Sequence, residues 1–269
     1  MLTTLPLLAG LCYSLFYSLG MVGILGKGFT LQNWVSLFTE GGGLLSLLYS
    51  LYLTLTSLVL ILALALLFAW WQGGKTRPWF YKTLFLPLTM PPLITAFLWY
   101  YLLSPSGFLS RISYSIGLSS GIESFPRMVN DSFGIGILVC HVFLVFPLFT
   151  ILFIHQANKE RVAELQQMAL TLGSTKLQFF VRVFVPLLLK RSSLLVILYT
   201  IFLLGTYEVP IIMGQSSPRT LSVFITEKLT RFDLTDIPEG HAMAFIYSII
   251  VIALCSLLFR NKKINLSKL

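Results

Sequence analysis

The sequence predicts an all-α integral membrane protein of six transmembrane helices, on three observations. Hydrophobic residues make up 56% of the 269 and charged residues only 11%, against about 25% charged in water-soluble domains; the mean hydropathy is +0.85. Six apolar runs reach the roughly 20 residues a helix needs to cross a ~30 Å hydrocarbon layer, where only helices and closed barrels satisfy every backbone polar group. The basic residues stand in short strips between those runs, a distribution that sets topology and excludes a nucleic-acid-binding face. One transmembrane domain, 1–269, is expected, with a core at about 46–257, because no long polar block offers a second folding unit.

The runs are residues 5–25, 44–71, 79–103, 133–155, 187–213 and 242–259. The first has no basic segment ahead of it and stays apolar for about twenty residues, so it reads as a retained span rather than a cleaved leader. Alternate strips differ in charge. The set at 75–82, 159–191 and 260–268 holds thirteen basic residues and two acids, and the opposite set six basic residues and seven acids, a net +11 against −1. Lys and Arg are retained on the cytoplasmic side, so both termini are predicted cytoplasmic, although Lys27 after the first run points the other way. Trp34, Trp70, Trp71, Trp79 and Trp99 fall near run ends, as interface anchors do. Cys12, Cys140 and Cys255 lie inside apolar runs and read as small buried hydrophobes.

Two strips of the outer set exceed what a turn requires. Residues 104–132 open on Ser-Pro-Ser-Gly and continue with Phe108, Leu109, Ile112 and Ile116, the spacing of a short amphipathic helix lying at the membrane surface. Residues 214–240 are polar and proline-bearing. Both are expected to meet a partner outside.

The inner strip at about 156–186 reads as helix, break, helix. Asn158 is expected to cap the first helix, Glu160 to complement its dipole and Gly173 to stop it. Val162, Leu165, Ala169 and Leu172 form one apolar stripe; Leu177, Phe180, Val181 and Phe184 form another behind a Ser174 cap. Pro186 suits the first turn of a new helical segment. Too short to span, the first helix must lay its stripe on lipid, on its own bundle or on a partner protein, and the residues alone leave all three open.

The order Gln167-Met168-Ala169, three residues, Gly173, nine residues, Val183-Phe184-Val185-Pro186 resembles the cytoplasmic loop motif of ABC importer permeases: Glu-Ala-Ala, three residues, Gly, nine residues, Ile, any residue, Leu, Pro. Ala169, Gly173 and Pro186 match in register, while Gln167 and Met168 replace the motif's Glu and first Ala. Glu164, one turn earlier, is a stand-in for the missing carboxylate. The likeness extends to Gly28–Phe38 at the first outer loop, Ser46–Leu51 on the second span and Leu103–Leu109 after the third; Gly205–Pro210 with Pro218–Val223 is similar to permeases grouped with polyamine, ferric-iron and thiamine importers.

This resemblance implies a type I importer permease fold in a bacterial-type inner membrane. It also implies an ATPase-coupling segment carried by Glu164, Gln167, Met168, Ala169, Gly173 and Pro186. The implied partners are ABC ATPase subunits, a second permease subunit of the same or a different chain, an extracytoplasmic solute-binding protein and membrane lipid. No phosphate-binding Gly-x-x-x-x-Gly-Lys-Ser/Thr occurs, so ATP is expected in the partner, with no catalytic residue, cofactor or metal in this chain.

Glu208 is the one acid within an apolar run. Such a charge either faces a cavity or marks a helix end, where Pro210 disfavours helical geometry at Val209. With Tyr207 and Pro210 it makes a candidate for the solute pathway. One carboxylate favours a small polar or cationic solute; the alternatives are a small anion, a membrane scaffold without transport, or an intramembrane enzyme. His141, His155 and His241 lack metal-ligand spacing, and no nucleophile and base stand at helical spacing in the runs.

Overall fold

The computed structural model describes residues 4–23, 26, 28–39, 42–73 and 78–262. Lys27, Glu40, Lys75, Arg77, Lys263 and Lys268, which entered the charge pattern, lie outside the described residues. Within them the chain is helical with no strand. In order come α1 (Thr4–Ser18), α2 (Gln32–Thr39), α3 (Gly43–Gln72), α4 (Pro78–Leu88), α5 (Pro92–Leu103), α6 (Phe108–Ser115), a 3-10 turn (Ile122–Ser124), α7 (Ile135–Lys159), α8 (Val162–Thr171) and α9 (Lys176–Phe179). A π-turn (Phe180–Phe184) leads into α10 (Val185–Leu204), followed by α11 (Glu208–Met213), α12 (Leu221–Thr230) and α13 (Ile237–Lys262).

Among the described residues, five stretches are long and apolar enough to cross a membrane: Gly43–Gln72, Pro92–Ser115, Ile135–Lys159, Lys176–Leu204 and Ile237–Ser256. Large side chains on them stay exposed, among them Val59, Phe97, Leu198 and Ile252, as hydrocarbon-facing residues do. Three of the six expected runs are corrected. The first is shorter than expected, because Gly20, at φ 71°, ends α1: Gly20 N–H donates to the Tyr17 carbonyl and Met21 N–H to Phe16, the two bonds of a left-handed glycine cap. The third run breaks between α4 and α5, where Pro91 sits in extended backbone (φ −60°, ψ 141°) ahead of Pro92, since a residue before proline is pushed out of the helical region. The fifth stops at Leu204, three residues before Glu208 restarts a helix.

The chain forms two compact units. One holds Met1–Tyr52, Leu204–Ile211 and Gln215–Leu269. Its core is Leu37, Leu221, Phe224, Ala242 and Met243. Polar bonds fix the short α2 there: Asn33 donates to the Ser18 carbonyl (3.0 Å), the Trp34 indole N–H to Ser18 Oγ (3.2 Å) and Ser36 Oγ to Glu239 (2.7 Å). Trp34, expected as an interface anchor, is therefore a packing and bonding residue. The strip at 214–240 contains α12, a helix its polar composition did not announce. Lys228, on α12, reaches Asp236 (2.6 Å) and Glu239 (2.7 Å) with its side chain only 11% exposed. Arg231 also pairs with Asp236, and Arg219 with Glu227. Burial opposes the Lys228 charge, but the hydrogen bonds it donates to Asp236 and Glu239 and their charges outweigh it, so its pKa is raised.

The other unit, Leu53–Leu203 with Ile212–Gly214, is built on Phe149, Phe153, Phe179, Phe184, Ile61 and Leu188, all at most 2% exposed. Trp70 stands over Phe180 and Phe184, with ring centroids 5.2 and 5.1 Å away, so it too packs inward, whereas Trp71 and Trp79 are 70% and 77% exposed. The short helix expected here forms as α6, with Phe108, Leu109, Ile112 and Ile116 exposed, and it falls within the apolar stretch Pro92–Ser115.

Lys228→Met leaves the Glu239 carboxylate without its cation and Asp236 with Arg231 alone. It is expected to lower stability by about 3 kcal/mol, read as a lower denaturation midpoint of the detergent-solubilised chain. Asp233→Asn, at a fully exposed carboxylate, should leave the midpoint essentially where it is. A raised lysine pKa contributes stability that is fully present below the unfolded value and lost as pH rises through the folded one. The Lys228→Met deficit should therefore hold through neutral pH and shrink only in strong alkali.

Candidate functional site

The inner strip begins with a joint that the sequence did not announce. Asn158 does not cap the next helix: α7 runs on to Lys159, and Arg161, at φ 48°, turns the chain in left-handed backbone before α8 starts. That conformation is strained for a residue with a Cβ. Two contacts brace it. Arg191 Nε meets Glu160 at 2.9 Å, and Ser192 Oγ donates to Gln156 Oε1 at 3.0 Å, tying α10 to the end of α7. Glu160 is thus an ion-pair partner beyond the α7 terminus rather than a dipole complement to α8. The Arg161–Glu164 pair, at 3.7 Å between side chains 76% and 65% exposed, contributes little.

The predicted stripe on α8 divides. Val162 is buried at 6% and Ala169 packs half-buried against the same aromatic core. Leu165, Met168 and Leu172 point away from it and are 39%, 64% and 87% exposed. Their spacing of three and four residues puts them on one face, beside the exposed Glu164 and Gln167. A two-turn helix thus uses small residues to lie on its own bundle and presents three large apolar side chains outward. Behind it lies a cavity of about 410 Å³ lined in part by Trp70, Asn158, Gln166 and Lys176.

Gly173 ends α8 as expected: at φ 84° its N–H donates to the Leu170 carbonyl and that of Ser174 to Ala169. The cap of the following helix is Thr175, not Ser174. Thr175 Oγ1 accepts from Gln178 N–H (3.2 Å) and Gln178 Oε1 from Thr175 N–H (2.9 Å), a reciprocal capping box. The Thr-x-x-Gln spacing was a legible signal for it. Pro186 does not open a separate helix. It is the second residue of α10, and the π-turn just before it lets Val185 N–H reach back to Phe180. A proline supplies no N–H and its ring crowds the carbonyl four residues earlier, so the ladder slips by one residue and the helix continues. The second stripe divides like the first: Phe184 is buried and Phe180 packs on the core, with Phe179, absent from the predicted stripe, buried beside them, while Leu177 and Val181 are exposed.

The candidate pathway residues sit where the fifth run breaks. Glu208 is the first residue of α11, so it heads a helix rather than lying within a span. It is exposed, makes no hydrogen bond or ion pair among the described residues, and lies between exposed Tyr207 and buried Val209 and Pro210. Among the described residues no three His, Cys, Asp or Glu gather as metal ligands. His141 bonds Ser57 Oγ (3.1 Å), His155 bonds Tyr81 (2.6 Å) and His241 bonds Ser14 (3.2 Å).

The family described as "Binding-protein-dependent transport system inner membrane component" matches residues 61–265. Two solved structures share the fold. One is a bacterial alginate ABC transporter in complex with an alginate pentasaccharide-bound periplasmic protein: TM-score 0.70 at 18% identity, over 92% of this chain and 84% of that one. The other is a bacterial ABC transporter involved in the import of the acidic polysaccharide alginate: TM-score 0.71 at 16% identity, over 93% and 88%. No curated protein matches the chain.

Two substitutions separate the elements of the inner strip. Thr175→Ala removes the capping box and should cost about 1 kcal/mol. Gly173→Ala meets nothing within 4 Å, so it should cost about 1–2 kcal/mol through its positive φ alone. Thermal unfolding with hydrogen exchange over 162–179 checks both, with exchange rising on the α9 side for the first and on the α8 side for the second.

Proposed function

The chain belongs to the family of binding-protein-dependent transport system inner membrane components, and on that premise we propose that α8 is the segment through which a separate ATPase drives it. It is a multi-pass inner-membrane permease subunit of an ABC importer. Two such subunits, identical or different, enclose the pathway, since one bundle forms half of it. ATP is bound and hydrolysed in partner ATPase subunits, an extracytoplasmic binding protein delivers the solute, and both termini lie in the cytoplasm. ATPase closure moves α8, and the core beneath Val162 and Ala169 passes that movement to the spans.

The observation that carries this reading is the outward face of Leu165, Met168 and Leu172 on a helix too short to span and braced at both ends. With Gln167 in place of the motif's glutamate, contact there rests on apolar packing, flanked by Glu164. The solute is a small polar or cationic molecule of the polyamine, ferric-iron or thiamine kind, a reading supported by Glu208 at the helix break and by the resemblance over residues 205–223.

Met168→Asp with Leu172→Asp is expected to weaken co-purification of the ATPase by about 2 kcal/mol or more and to abolish uptake, while membrane insertion is unchanged. Association of the wild-type chain should survive high salt, which screens exposed ion pairs but not apolar contact. Uptake and ATPase assembly that both persist in the double variant would sink the assignment.

A further inference from the structure

We propose that the break between α10 and α11 forms a subsite for a positively charged solute group; this rests on the permease reading above and assigns a place and a charge to its pathway. Leu204, Gly205, Tyr207, Ser222, Thr226 and Tyr247 line a cavity of about 330 Å³ there, together with Leu221, Ile225, Ala244 and Ser248. The wall carries no Lys, Arg, Asp or Glu.

What the wall offers is electron-rich. Ser222 Oγ donates its proton to the Thr206 carbonyl, Thr226 Oγ1 to the Ser222 carbonyl (2.9 Å) and Ser248 Oγ to the Ala244 carbonyl (2.8 Å). With their protons spent on backbone, these hydroxyls face a ligand as acceptors. The carbonyls of Leu204 and Gly205, past the last helical bond of α10, accept no backbone hydrogen bond among the described residues, and helix C-terminal carbonyls favour cations. Tyr207 and Tyr247 add ring faces that attract an ammonium group.

Glu208 follows Tyr207 in the chain and lies outside that wall. The cations of this unit's outer segment are occupied elsewhere, Arg219 by Glu227, Lys228 by Asp236 and Glu239, and Arg231 by Asp236. A solute carrying an ammonium or similar group would thus meet acceptors and aromatic faces in the wall, with Glu208 one residue beyond it in the chain. A carboxylated sugar would meet no donor of positive charge.

Charge-selective thiol labelling tests this without knowing the solute. Thr226→Cys and, separately, Ser248→Cys are placed in the full chain in lipid nanodiscs, with Cys12, Cys140 and Cys255 replaced by serine or alanine. A cationic and an anionic methanethiosulfonate reagent are compared, each rate divided by its rate with a free thiol in solution. The cationic reagent is expected to react at least about tenfold faster at either position, as focusing of field in a cleft predicts, and Glu208→Gln should cut that ratio by about threefold or more. A ratio near one, a preference for the anion, or no reaction at either position overturns the subsite. Because labelling does not involve the ATPase, that outcome leaves the coupling reading standing; loss of ATPase co-purification by the wild-type chain would remove the permease reading on which the subsite rests.

Discussion

Hydrocarbon offers no hydrogen bonds, so each backbone N–H and C=O at membrane depth must find a partner within the protein. The arrangement of this chain follows from that constraint, most visibly where its helices are interrupted. At Pro186 the ladder slips into a π-turn and the helix carries on. At Gly205–Tyr207 the ladder stops, and Ser222 Oγ, from α12, closes on the exposed Thr206 carbonyl. Between α4 and α5, Met90 N–H returns to the Pro87 carbonyl before Pro91 extends the chain. Two of the three interruptions fall at prolines, and at each a neighbouring group still finds a backbone partner.

The inner strip answers a different demand. The coupling role proposed for α8 asks that the helix be fixed to its own bundle and free on its far side. Small and buried residues do the first, with Val162 and Ala169 on the aromatic core and the Glu160–Arg191 pair holding the joint. Leu165, Met168 and Leu172 do the second. The left-handed Arg161 at one end and Gly173 at the other keep the helix to ten residues.

Much of this was legible in the residues. Gly173 as a stop follows from its freedom at positive φ, and the short α6 helix from the spacing of Phe108, Ile112 and Ile116. The division of the α8 stripe was not legible, because periodicity places residues on a face without saying what the face meets. Asn158 has good capping chemistry, yet α7 passed over it, since the Glu160–Arg191 and Ser192–Gln156 contacts come from a helix about thirty residues later. Trp34 and Trp70 read as interface anchors by position but pack inward, because ring contacts with distant residues decide orientation.

By itself, then, the sequence determined the class: apolar runs of spanning length, the sign of the strips between them, and a loop order that identifies an importer permease. Those are properties of composition and local spacing, and solvent chooses among them without reference to the rest of the chain. Only the tertiary structure decided where runs break, which half of the α8 stripe stays open, and that Glu208 heads a helix. Each of these depends on a partner far away in sequence, and the free energy of such a contact is set by geometry that no local pattern encodes.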